Sequence, residues 1–155
     1  MKFVIIFGLL AFVVAVCQAS DVIYGYHFHT YYFQDNRHSK EDVQKFRDLV
    51  HKEITTGSLG TCSMNHLNLE PIGPHPIGSF ETCCNVTSLG PGVSFFMKNH
   101  GKFSILLHPL TKSEVLDHSE RAFWMGQKLL LDFSHLSSAL HKTPVCPIYQ
   151  NSTVV

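Results

Sequence analysis

The residues able to bind a metal or move a proton fall in four short segments. In Tyr26-His27-Phe28-His29 two histidines stand two apart. On a strand that spacing puts both on one face, where both can ligate one ion. In Gly73-Pro74-His75-Pro76-Ile77-Gly78-Ser79-Phe80-Glu81 a histidine is held between two prolines and a carboxylate follows. Proline fixes φ and removes a backbone donor, so residues 73–78 form a stiff loop, not a helix or a central strand. Leu106-Leu107-His108-Pro109 supplies a fourth histidine, and Asp117-His118-Ser119-Glu120-Arg121-Ala122-Phe123-Trp124-Met125-Gly126 a fifth with an arginine nearby. Histidines plus a carboxylate, with coordination positions left open, are the donor set of non-haem Fe(II). Another divalent metal is the alternative. A histidine near neutral pKa also suits general acid–base work. The sequence holds 11 histidines; His38, His51, His66, His100, His135 and His141 follow no such pattern. Asp117-His118-Ser119 is not a serine-hydrolase relay, because neighbours on a helix do not face one another.

In order and spacing these segments resemble the DOPA 4,5-dioxygenase family, the fungal and bacterial type of extradiol catechol dioxygenase, over residues 24–134. The resemblance implies extradiol ring opening of DOPA or a related catechol, with O₂ as co-substrate and Fe(II) as cofactor. It implies the same histidine cluster without fixing which members are ligands. The assignment made here is His27, His29, His108 and Glu81 to the metal and His75 and His118 to proton transfer. Arg121 is assigned to a substrate carboxylate, by a bidentate pair. A non-catalytic secreted protein of the same fold that binds a metal or a phenol is the alternative.

The elements that must position these groups follow from periodicity. Residues 22–33 alternate aromatic and polar and predict a strand, with Gly25, His27, His29 and Tyr31 on one face. Ser39 is expected to cap a helix that carries Val43, Phe46, Val50 and Ile54 at helical spacing and stops at Gly57. Further strands are expected at residues 65–70, 78–86 and 103–108, with a helix over 91–99 started by Pro91 at its first position. Residues 118–125 are expected to form a last helix, with Asp117 as its N-cap and Glu120 in a capping-box position. A short helix within 129–140 would follow. The order βαββαβ predicts an α+β, ferredoxin-like fold. It has a four-stranded antiparallel sheet, helices on one face and a C-terminal helical extension. The first strand lies between the third and fourth, so His27, His29, Glu81 and His108 project onto one face. The face away from the helices is open, or covered by the tail or a partner; a homodimer is one assembly this allows.

Residues 1–19 read as a signal peptide: Lys2, an uncharged apolar run, then Cys17-Gln18-Ala19 with small residues at the cleavage positions. The domain is then 20–141 with a tail at 142–155, and the expected location is extracellular with no membrane anchor after cleavage. The formal net charge is 0, and no basic cluster is present, which argues against nucleic acid or an anionic membrane as partner. Cys62, Cys83, Cys84 and Cys146 remain beyond the signal, an even number that in a secreted chain favours two disulfides. Cys83 and Cys84 point to opposite faces of a strand, so each must reach a different partner. Cys62–Cys84 with Cys83–Cys146 is preferred, because a hairpin of the second and third strands brings Cys62 to the third. Asn85 and Asn151 stand in Asn-x-Thr sequons and are candidate glycosylation sites.

Overall fold

The structure is a computed structural model that describes residues 21–146. The signal-peptide reading, and the sequon at Asn151, lie outside that range. Five antiparallel strands form one sheet in the order β2-β3-β1-β4-β5. These are β1 (Gly25–Tyr31), β2 (Cys62–Met64), β3 (Ser79–Cys84), β4 (Ser104–Leu110) and β5 (Phe123–Met125). Helices α1 (Arg37–Thr55) and α2 (Leu89–Asn99) cover one face, and a short α3 (Glu114–His118) follows β4. The α+β, ferredoxin-like plan therefore holds, with a fifth strand added at the β4 edge.

The alternation in β1 builds both faces. Phe28 enters the main core with Val43, Phe46, Val50, Phe80, Phe96 and Ile105. Its ring stacks on Phe96 with centroids 4.6 Å apart. The approach is close because Gly92 of α2 lies over Phe28: a Cβ there would sit 2.9 Å from Phe28 Cζ. The opposite residues, His27, His29 and Tyr31, face away from the helices. A smaller apolar cluster of Tyr31, Leu106 and Leu131, flanked by Ile77, Trp124 and Leu129, covers that side. The cover is therefore this chain's own segment after β5, joined to the proline loop by the Asp132 N–H donating to the Pro74 carbonyl at 3.0 Å.

Both disulfides pair as expected, Cys62–Cys84 and Cys83–Cys146. Cys62 and Cys84 stand directly opposite each other across the β2–β3 ladder. Cys83, on the other face, ties down the segment ending at Cys146.

Several local expectations are corrected. The first helix starts two residues before Ser39. Asn36 is its N-cap and accepts from the Ser39 N–H at 3.0 Å, while Ser39 Oγ accepts from the Phe33 N–H at 3.0 Å. Ser39 thus ties the first turn of the helix back to the chain before the cap, while the Asn36 N–H donates to the Phe33 carbonyl. The second strand lies at Cys62–Met64, not at 65–70, where pairing dwindles to an isolated Asn68–Ser79 bridge before Pro71 ends it. The second helix opens at Leu89, with Pro91 still in its first turn, where a missing N–H costs nothing. The helix expected at 118–125 is absent: α3 ends at His118, and Phe123–Met125 pairs with β4. Asp117 is not an N-cap there. It is buried inside α3 and accepts from the Thr111 N–H at 2.7 Å and from Thr111 Oγ1. Between 129 and 140 only a 3₁₀ turn at Phe133–His135 forms, started by Asp132 accepting from the Ser134 N–H. Among the described residues the C-terminal extension is thus mostly irregular chain.

Candidate metal centre

Register carries the first three histidines together. His27 stands opposite His108 on β4, and His29 stands opposite Glu81 on β3. His29 Nε2 and His108 Nε2 lie 3.0 Å apart, both rings buried. The ring centroids of His27 lie 5.4 Å from those of His29 and 5.2 Å from those of His108. The rigid loop sets His75 against His29 at 4.2 Å, and the end of α3 sets His118 against His108 at 3.9 Å. Five imidazoles from two strands, a loop and a helix terminus therefore meet on one face.

The hydrogen bonds fix several tautomers. A carbonyl only accepts, so His108 Nδ1–H donates to the Pro109 carbonyl at 2.8 Å. His118 Nδ1–H likewise donates to the Glu114 carbonyl at 2.9 Å. In the neutral rings this leaves Nε2 bare on both. His27 Nδ1 lies 3.3 Å from Glu81 Oε2, and its Nδ1–H donates to the carboxylate when Glu81 is ionised. Such outer partners orient histidine ligands around metals. His75 Nδ1 lies 2.7 Å from the buried Tyr31 hydroxyl.

Burial holds the cluster neutral. It lowers the His27 pKa to about 3, helped by mutual repulsion with His118 and His75, and that of His75 to about 4. His29 and His108 are pushed well below the ordinary value of 6.5, and His118 is lowered too, in each case mainly by burial. Burial also raises Glu81 to about 7. Neutral imidazoles whose ring nitrogens converge are metal ligands in waiting, and a metal at His29 and His108 would displace the proton that His29 Nε2 now donates to His108 Nε2. One nitrogen each of His27, His29 and His108 all lie within 4.8 Å of one another; so do nitrogens of His29, His75 and His118. Two ligand nitrogens about 2.1 Å from one ion, at a right angle, are about 3.0 Å apart. That is the His29–His108 separation, and the donor set fits a divalent ion. His27, Glu81 and Cys83 form a third such group, but Cys83 is bonded to Cys146 and offers no thiolate.

Arg121 is not drawn into this cluster. Its guanidinium donates to Thr111 Oγ1 and Asp117 Oδ1 at 3.0 and 3.1 Å and pairs with Asp21. It lines an apolar cavity of about 700 Å³ with Tyr26, Val93, Leu107 and Phe123, on the helix side of the sheet. A smaller cavity of about 300 Å³ opens beside His118, walled by Trp124, Leu129, Leu131 and Phe133. Sequence reasoning gave Tyr31 no role, although strand periodicity had set it on the histidine face. Trp124, stacked on Tyr31 with centroids 5.6 Å apart, was hidden by the helix expected there. Asn85 is exposed, beside the Cys84 disulfide.

A ferredoxin-like sheet with helices on one face and a buried polyhistidine cluster on the other defines a class: α+β proteins with a histidine cluster, shielded from bulk water, that could hold a metal ion. Residues 26–135 match the family model described as the Dopa 4,5-dioxygenase family, and the chain belongs to that family. It is 32% identical over 120 residues to a DOPA 4,5-dioxygenase of Amanita muscaria, covering 77% of this chain and 53% of that protein. It is also 32% identical over 114 residues to an uncharacterised 21.2 kDa protein of Botryotinia fuckeliana, covering 68% and 60%. The chain thus spans little more than half the length of these relatives. Among solved structures, a candidate dioxygenase from Nostoc punctiforme superposes with a TM-score of 0.63 at 26% identity, covering 73% of this chain and 90% of that one.

Proposed function

We propose that the chain is a secreted dioxygenase that opens the ring of DOPA or a related catechol, with Fe(II) held by His27, His29 and His108 beside Glu81. The observation that carries this reading is the 3.0 Å approach of His29 Nε2 to His108 Nε2 inside five converging neutral imidazoles. When bound, Fe(II) would hold the two catechol oxygens and O₂ together and supply the redox chemistry.

The protein's own groups do the rest. His118 keeps its Nδ1–H on the Glu114 carbonyl, so its Nε2 is the free acceptor for a catechol hydroxyl proton. His75, braced by Tyr31, is the second proton-transfer group. Leu131, packed against Tyr31 and Leu106, keeps water from the reacting face. The two disulfides support secretion, since such bonds persist in oxidising compartments. Among the described residues no helix is long and apolar enough to cross a membrane.

The test is anaerobic loading with Fe(II), followed by L-DOPA and oxygenated buffer. Equal consumption of O₂ and DOPA, with a ring-opened product, is expected. Stoichiometric metal uptake with no loss of DOPA would contradict catalysis and leave a metal-binding protein. The disulfides give that second reading its weight, because an oxidising compartment favours Fe(III).

A further inference from the structure

We infer that the Cys83–Cys146 disulfide is a redox gate on a second metal site: once it is reduced, His27, Glu81 and Cys83 hold a zinc-type divalent ion. The strand register lines up the donors. His27 on β1 stands opposite Cys83 on β3 to one side and opposite His108 on β4 to the other. Glu81 lies two residues from Cys83 on β3 and so shares its face. Its Oε2 lies 3.3 Å from His27 Nδ1. A nitrogen of His27, a carboxylate oxygen of Glu81 and Cys83 Sγ all lie within 4.8 Å of one another. Nitrogen, oxygen and sulfur together make a zinc donor set, and three protein ligands leave a fourth position for water. A thiolate shifts the preference of such a site toward softer ions than an all-nitrogen trio selects. The inference stands apart from the catechol reading, since it involves no substrate.

Opening the gate delivers sulfur to the site. Cys83 is buried, whereas Cys146 is half-buried on a segment whose residues Lys142, Thr143 and Val145 are exposed. A dithiol reductant therefore attacks Cys146 Sγ. The S–S bond breaks, Cys83 leaves as a thiolate, and a mixed disulfide joins Cys146 to the reductant. The reductant's second thiol then attacks its own sulfur in that mixed disulfide and releases Cys146. The dithiol ends as a disulfide, having given up two electrons. The Cys83 thiolate is left against Glu81, where two anions shielded from water repel each other; a divalent ion bound between them cancels both charges. His27 belongs also to the group of His27, His29 and His108, so an ion beside Cys83 competes for His27 with an ion held by that trio. The oxidised chain thus keeps sulfur out of the histidine centre, and the reduced chain admits it.

The experiment is anaerobic Co(II) titration of the chelator-treated full chain, read by absorption. Cobalt on a thiolate shows a near-ultraviolet charge-transfer band that cobalt on nitrogen and oxygen ligands lacks. Cys146→Ser frees Cys83 and leaves the Cys62–Cys84 bond in place. This variant should show the band, saturating at one thiolate-bound ion per chain, and added Zn(II) should abolish it. The oxidised wild type should show no such band, whatever its histidines bind. Cys83→Ser, which frees Cys146 instead, and Cys146→Ser/His27→Gln should both lose it. Reducing the wild type until two thiols per chain titrate gives the same readout without a substitution, because Cys62 and Cys84 are both buried. Absence of the band from both the reduced wild type and Cys146→Ser overturns the inference. So does a band of equal strength in Cys83→Ser or in the His27 double variant. Either result leaves the catechol reading as it was.

Discussion

Acidification from pH 7.5 to 5.0 is expected to destabilise the metal-free fold, and the size follows from the histidine cluster. His27 has an ordinary pKa of 6.5 and a folded value of about 3. Between those values the unfolded chain binds a proton that the folded chain refuses, so stability is complete above pH 6.5 and is lost as the pH falls. At pH 5.0 about 1.5 pH units of that window have been crossed, worth about 2 kcal/mol. His75, lowered to about 4, adds about 2 kcal/mol by the same reasoning. His29 and His108 act in the same direction. Glu81 opposes them: raised from 4.5 to about 7, it keeps a proton when folded that the unfolded chain releases. Over the same interval that returns about 2–3 kcal/mol. The balance is a loss of at least about 2 kcal/mol, a large part of a typical folding free energy of about 5–15 kcal/mol. The assay is urea unfolding of the chelator-treated protein across this pH range, alongside a His27→Gln/His75→Gln double variant. The variant should show a pH dependence shallower by about two protons around pH 5.5. Stability that is flat or rises on acidification, or a double variant with the wild-type slope, would refute the neutral-cluster argument.

Replacing Cys83 and Cys146 by Ser should cost about 4 kcal/mol, and replacing Cys62 and Cys84 about 3 kcal/mol, because the bridged separations are 63 and 22 residues; denaturant midpoints of the two variants should fall in that order. His118→Ala should retain the metal and lose roughly 10²–10⁴ in turnover, the usual worth of a general acid–base; loss of bound metal instead would make His118 a ligand. Gly92→Ala should destabilise by about 1–3 kcal/mol despite alanine's better helix propensity, since the new methyl meets a fully buried Phe28 ring 2.9 Å away; unchanged thermal stability would show that α2 moves aside without cost.

The centre of the sheet was legible because strand periodicity and chain order are strong, local signals. Alternation in β1 separated Phe28 from His27 and His29, and the βαββαβ order put β4 beside β1, which is why His108 lands opposite His27. The Cys83–Cys84 pair was legible for the same reason, since adjacent strand residues must face opposite ways. The C-terminal third was not. Asp117, Glu120 and Gly126 imitate a capped helix, but pairing of Phe123–Met125 with the β4 edge overrides local propensity. Asp117 instead answers to Thr111, a contact that capping rules do not anticipate. Arg121 was assigned by its spacing from His118, and no sequence pattern announces that Asp21, 100 residues away, would take its charge. Tyr31 had the right face but no motif, and its link to His75 depends on how the proline loop folds back.

The central claim is a metal ion held by His29 and His108, and metal content measures it most directly. The chelator-treated full chain, reloaded anaerobically with Fe(II) and desalted, should carry one ion per chain by elemental analysis. His29→Ala and His108→Ala should each carry almost none while keeping a cooperative unfolding transition. One ion per chain in either folded variant, or none in the wild type, would contradict the account.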